Sequence, residues 1–133
     1  MDPITRQGFS AAAGAGASAG VDIAVAHSSS PYVTAYPWDS GFGSKYANPS
    51  TLPTSTGTGV AFSPDGNDIA VSHGGSPYVS AYPWDEGFGS KYANPSTLPP
   101  DICTEVAFSP DGNAIAVSEL NLTELGHVTV PEE

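Results

Sequence analysis

An internal repeat of 46 residues constrains the fold of this chain more than any other feature. Residues 22–53 and 68–99 align at this offset without a gap, and 27 of their 32 positions are identical. The segments 61–72 and 107–118 match at the same offset and differ only where Asp68 pairs with Ala114. Duplication is the simplest cause of such similarity. It implies that one small supersecondary unit is built more than once and stacked on its neighbour.

Each unit has the pattern of short strands separated by turns. We predict strands over residues 60–63, 69–71 and 78–84, and the turn cluster at residues 64–67 contains a glycine that can adopt the positive φ of a tight hairpin. The rest of the unit is loose, with at most a short outer strand near residues 91–93. Four short strands in about 40–50 residues are typical of a β-propeller blade.

The sequence of one unit also resembles a known family. The segment VAFSPDGNDIAVSHGGSPYVSAYPWD looks like the inner part of a WD-repeat blade, with an inner strand, an SPDG turn and two further strands. The dipeptides Trp38-Asp39 and Trp84-Asp85 fall where that family places its namesake pair. The near-identical units are also similar to propeller repeats of bacteriophage and uncharacterised bacterial proteins. This resemblance implies an all-β fold of propeller-type, four-stranded blades.

The length of the repeat region suggests an incomplete ring. We divide the chain into an Ala/Gly-rich N-terminal arm (1–20), WD-like propeller repeats (21–118) and a divergent C-terminal tail (119–133). The repeats amount to about two blades, whereas closed propellers have about four to eight. Unpaired edges invite association, so we expect either a homo-oligomer or packing against another protein; a different β arrangement is the third alternative. We expect the arm to contact a neighbouring chain.

Composition excludes several classes of partner. The chain has 3 Lys and Arg residues against 14 Asp and Glu residues, a formal charge of −11. Binding to nucleic acid or to an anionic membrane surface is therefore not expected, since both depend on clustered basic side chains. The single Cys103 rules out an intramolecular disulfide. The first residues lack the apolar core of a secretion signal, which predicts a virion or cytoplasmic location.

Catalytic and metal-binding patterns are weak. A metal site would need two of the histidines His27, His73 and His127 to converge with Asp22, Asp68 or their neighbours, and we favour instead histidines that close the ends of strands. We predict no catalytic residue, no metal site and no cofactor.

The aromatic residues are the most informative side chains. We predict that four of them form the structural core of the blades: Trp38, Trp84, Tyr36 and Tyr82. Four others lie in Gly-flanked outer segments and are candidates to face a ligand: Phe42, Tyr46, Phe88 and Tyr92. Exposed aromatic rings beside polar residues stack on the rings of sugars, although core packing is the favoured role for these residues too.

The sequence therefore predicts a non-catalytic structural or assembly protein. The resemblance to phage repeats makes a virion component, such as a capsid decoration or tail protein, the first expectation. Its partners would be other copies of itself and other virion proteins. The alternative is a carbohydrate- or protein-binding propeller that acts as a lectin or adhesin, with a glycan as its ligand.

Overall fold

The computed structural model describes residues 21–120, and this part of the chain is all-β, as predicted, with seven strands and no helix. In chain order the strands are β1 (Val21–Ala26), β2 (Val33–Trp38), β3 (Gly57–Phe62), β4 (Asp68–His73), β5 (Val79–Pro83), β6 (Cys103–Phe108) and β7 (Ile115–Glu119). They form three antiparallel sheets with the orders β1-β2, β3-β4-β5 and β6-β7.

The three sheets contain different parts of the same repeated unit. The pairing of Ile23 with Tyr36 in the first sheet recurs as Ile69 with Tyr82 in the second. Likewise, the pairing of β3 with β4 recurs between β6 and β7. We call residues 21–56 unit 1, residues 57–102 unit 2 and residues 103–120 unit 3. Among the described residues only unit 2 has three strands: unit 1 lacks the first and unit 3 lacks the last.

The predicted hairpin turn is confirmed in units 2 and 3. In unit 2 the Asp65 carboxylate accepts a 2.9 Å bond from the Asn67 backbone N–H and a 2.7 Å bond from the Ser63 hydroxyl. These bonds hold the pKa of Asp65 below its usual value, the backbone N–H being the larger cause. Gly66 has φ of 79°, which a residue with a Cβ rarely adopts. The same bonds recur around Asp111 in unit 3.

The predicted outer strand of the unit is wrong. Residues 85–100 follow β5 as an irregular segment, held by a bridge between Trp84 and Phe88 and by a 2.8 Å bond from the Tyr92 N–H to the Ala81 carbonyl. Glycine and proline are frequent in this segment, and they do not sustain a regular ladder. Within residues 21–120 the sheets therefore have two or three strands, and no closed ring is seen.

Two predictions fall on residues that the structure does not describe. The N-terminal arm (1–20) and its contact with a neighbouring chain lie outside the described range, as does most of the C-terminal tail. In the part of the chain that is described, no helix is long and apolar enough to cross a membrane.

Candidate functional site

The hydrophobic core lies between unit 1 and unit 2. Val33 and Ala35 on β2 are fully buried, and they pack with Ile69 and Val71 on β4 and with Tyr82 on β5. Alternate residues of each strand point to the same face, so β2, β4 and β5 each give this interface one row of side chains. The interface between units, not the interior of one unit, thus provides the main apolar burial.

Trp84 is the central residue of this interface. Its side chain is 5% exposed and makes edge-on ring contacts with Tyr46, Phe62 and Phe88 at centroid distances of 5.0, 5.1 and 5.1 Å. Its indole N–H donates a 3.0 Å hydrogen bond to Oδ2 of Asp22 in unit 1. The tryptophan of unit 2 is therefore held by apolar rings and by a charged acceptor of the neighbouring unit.

Asp22 binds two donors at once. Its Oδ1 accepts a 2.6 Å bond from the Tyr46 hydroxyl, while Oδ2 accepts the bond from Trp84. Burial raises the pKa of Tyr46, and the bond to the Asp22 carboxylate raises it further, so the phenol remains a neutral donor. Hydrogen bonds to a charged acceptor are the stronger kind. From the sequence, Asp22 is a candidate only for a metal ligand. Its role as the acceptor for Trp84, 62 residues away, arises because the units stack.

We name the two halves of this interface by their residues. The socket of unit 1 comprises Asp22, Val33, Ala35 and Tyr46, and the plug of unit 2 comprises Tyr82, Trp84 and Phe88. The repeat places the same residue types elsewhere in the chain. The plug of unit 1 comprises Tyr36, Trp38 and Phe42, and the socket of unit 2 comprises Asp68, Val79, Ala81 and Tyr92.

The plug of unit 1 is uncovered. Trp38 is 38% exposed and Phe42 is 62% exposed, and their rings contact each other edge-on at 5.1 Å. The burial predicted for both tryptophans is thus found at Trp84 but not at Trp38. The physical reason is that no unit precedes unit 1 among the described residues, so no socket covers this plug. Tyr36 is half-buried, whereas its repeat partner Tyr82 is fully buried.

The socket of unit 2 also lacks a plug among the described residues, and Asp68, Val79 and Ala81 are only half-buried there. Tyr92 is 47% exposed, and its hydroxyl donates to Asp68, as Tyr46 donates to Asp22. The residue at the position of Trp84 in the next unit would be Val130, which lies outside the described residues. A groove of about 210 Å³ lies at this socket, lined among others by Val79, Tyr92 and Ile115 of unit 3.

The four predicted ligand-facing aromatics therefore divide into two kinds. Tyr46 and Phe88 pack against Trp84 inside the interface, whereas Phe42 is exposed in the plug of unit 1 and Tyr92 in the socket of unit 2. An open groove of about 300 Å³ between units 1 and 2 is lined by Tyr46 and Phe88 together with polar residues, namely Asn48, Asp85 and Glu86. Aromatic rings beside carboxylate and amide groups offer stacking and hydrogen bonds of the kind sugars use.

The two described histidines close strand ends, 46 residues apart. His73 is fully buried at the end of β4, with its ring nitrogens 2.9 Å from the Ser80 hydroxyl and 3.4 Å from the Thr54 hydroxyl. In His27 the buried Nε2 has no hydrogen-bond partner. Residues 21–120 contain no group of three or more His, Cys, Asp or Glu side chains placed to hold a metal ion. Cys103 is buried on β6, and burial raises the pKa of its thiol.

His73 makes stability depend on pH. Burial lowers its pKa, and the Lys91 ammonium lowers it further, against an opposing bond involving the Gly75 backbone. The unfolded chain therefore takes up the proton first as pH falls below about 6.5, and the free energy of unfolding decreases by at most about 1.4 kcal/mol for each pH unit. Thermal unfolding of the wild type and of His73→Gln between pH 7.5 and 5.5 measures this. The wild type should lose more stability than the variant over this range, and equal losses would contradict the assignment.

Comparison with known proteins adds no family to this description: no protein-family model matches the chain, and no curated protein matches it.

Proposed function

We propose that this chain is a non-catalytic structural protein that assembles into a larger particle, a phage virion, as a capsid decoration or tail component. One observation carries the proposal. The repeated aromatics pack as plug and socket between units 1 and 2, and the described residues leave the plug of unit 1 and the socket of unit 2 without a partner. Exposed apolar patches of this kind mark interaction sites.

The fold supports the same proposal at a finer level. We propose that the units are WD-like blades that are completed only in the assembly, where another protein molecule supplies the neighbouring blade that the single chain lacks. Stacked repeats gain most of their stability from nearest-neighbour interfaces. Since unit 1 lacks a first strand and unit 3 lacks a last strand among the described residues, contacts with further protein would extend the array at both ends. The net charge of −11 favours solubility of the free chain before it assembles.

A second candidate function is glycan binding, and the groove between units 1 and 2 is the observation that favours it. The groove combines the rings of Tyr46 and Phe88 with the amide of Asn48 and the carboxylates of Asp85 and Glu86. In this reading the chain is a lectin or adhesin that binds the glycan in this groove. Because Tyr46 also holds Trp84, the polar residues of the groove are the better positions at which to test binding.

One pair of measurements separates the two functions. A structural component is expected at a fixed stoichiometry in purified particles by quantitative mass spectrometry, and the isolated chain should give no signal on a glycan array. The contrary result is a glycan signal that Asn48→Ala removes and Asn94→Ala retains. Asn94 is the repeat partner of Asn48 and lies outside this groove, so it is the matched control. Such a result would replace the structural function with the lectin function.

A further inference from the structure

The exposed plug and the exposed socket have the same residue types as the buried pair. The plug Tyr36, Trp38 and Phe42 repeats Tyr82, Trp84 and Phe88, and the socket Asp68, Val79, Ala81 and Tyr92 repeats Asp22, Val33, Ala35 and Tyr46. The backbone register of the strands that carry them is also repeated. A plug of this shape is therefore known to fit a socket of this shape, because the chain itself contains the joined pair between units 1 and 2.

We propose that two copies of this chain join head to tail, with Trp38 of one copy seated in the socket of unit 2 of the next. The Trp38 indole N–H then donates to the free oxygen of Asp68, as Trp84 donates to Asp22. Tyr92 already donates to the other oxygen of Asp68, so the socket has the arrangement of acceptor and ring that holds Trp84. This inference rests on the proposed assembly function and specifies its contact surfaces.

The position of β7 defines what must move. If the copies stack as units 1 and 2 do, β1 of the copy that supplies Trp38 lies beside β6 of the copy that supplies the socket. This is the place that β7 occupies in the single chain. Val25 of β1 then pairs with Val106, as Val71 pairs with Val60 within unit 2. The result is a three-stranded sheet β6-β1-β2 shared by two copies, with the same order as β3-β4-β5.

Exchange of β7 costs little burial. No residue of β7 is buried and Ile115 is 45% exposed, whereas five of the six residues of β4 at the equivalent place are buried. The incoming β1-β2 hairpin provides the plug that β7 lacks. It also covers Trp38 and Phe42, which are exposed in the single chain. Burial of large aromatic rings is the dominant favourable contribution at such interfaces.

The proposed contact is heterologous, because plug and socket are different surfaces of one chain. Such contacts produce rings if the rotation closes and open filaments if it does not. They also have a property that isologous dimers lack. A copy with a damaged plug retains a good socket, and a copy with a damaged socket retains a good plug, so the two defects complement each other in a mixture.

Sedimentation velocity of the full chain tests this property with four samples: wild type, Trp38→Ala, Tyr92→Ala and an equimolar mixture of the two variants. The wild type should form species larger than a dimer at high concentration. The dissociation constant for association of each variant alone should be larger than that of the wild type by a factor of about 30 or more, as expected for loss of a central aromatic residue. The mixture should form a one-to-one dimer and nothing larger, since both outer ends of that dimer carry a defect.

Several outcomes would overturn the proposal. Undiminished assembly of Tyr92→Ala together with loss in Trp38→Ala indicates a symmetric contact between plugs. A monomeric wild type indicates that no second copy fills the socket; if a chain ending at Leu120 then associates, residues 121–133 are the occupant. Circular dichroism verifies the fold of each variant, and Phe42→Ala, which alters another exposed plug residue, serves if Trp38→Ala does not fold. A monomeric wild type leaves the particle stoichiometry test of the proposed function unaffected.

Discussion

Replacement of Trp84 by alanine is expected to lower the free energy of unfolding by about 3–5 kcal/mol, the usual cost of deleting a large aromatic side chain from a core. Trp84 is 5% exposed, contacts three aromatic rings and donates to Asp22. The substitution therefore leaves a cavity between two units and removes a donor from a carboxylate. Both effects fall on the interface that provides most of the apolar burial.

The repeat supplies an unusually close control. Trp38→Ala changes the same position of the same motif. The Trp38 side chain, however, is 38% exposed, and the one aromatic ring it contacts among residues 21–120 is that of Phe42. We expect it to cost about 1 kcal/mol or less, as for other partly exposed positions. Urea denaturation of both variants at low protein concentration, followed by fluorescence of the remaining tryptophan, gives the comparison. Equal costs at the two positions would show that the interface between units 1 and 2 does not form.

This comparison also shows what the sequence could and could not predict. The pattern of strands and turns repeats in the sequence and is found in the structure, down to the alternation that turns Ser80, Tyr82 and Trp84 to one buried face. Alternation and turn chemistry are local properties, so each unit carries the information for them. Burial is not local. Trp38 and Trp84 have nearly identical sequence neighbours, and only the unit stacked next to each one decides which is exposed.

The candidate site illustrates the same division. The aromatic residues of plug and socket were predicted as core or ligand-facing side chains, but their pairing across units required the stacking to be known. Asp22 is the clearest example, since its two donors are 24 and 62 residues away. A signal for it did exist in the sequence: an acidic residue lies within the first two residues of a strand in each of two units that also contain a tryptophan, and a buried indole N–H needs an acceptor.

The close approach of units 1 and 2 leads to the second large effect. Gly57 begins β3 and donates a 2.9 Å backbone bond to the carbonyl of His27 in unit 1. A Cβ at this position would lie 2.2 Å from the backbone oxygen of Tyr32 and 3.2 Å from the Cβ of Ala26. Backbone atoms cannot rotate away as a side chain can. A larger residue at position 57 therefore has to push the two units apart.

Gly57→Ala is accordingly expected to lower the free energy of unfolding by about 1–3 kcal/mol, the usual range for overpacking. Gly74→Ala is the matched control, because the nearest atom to its added Cβ, the Ser55 hydroxyl oxygen, is 3.8 Å away. We expect that variant to stay within about 0.5 kcal/mol of the wild type. Chemical denaturation of the two variants measures the difference, and a harmless Gly57→Ala would mean that the units are not in backbone contact.

The chain contains its own version of this substitution. Cys103 begins β6 at the position that Gly57 has in β3, and it carries a side chain there. At this position of unit 3 the Cys103 carbonyl accepts a 2.6 Å bond from the Thr58 hydroxyl of unit 2. Because the added Cβ at position 57 would clash with the backbone of unit 1, Gly57→Cys should weaken the interface between units 1 and 2 as Gly57→Ala does. The larger thiol side chain should then give the greater loss of stability, and the reverse order would contradict the steric explanation.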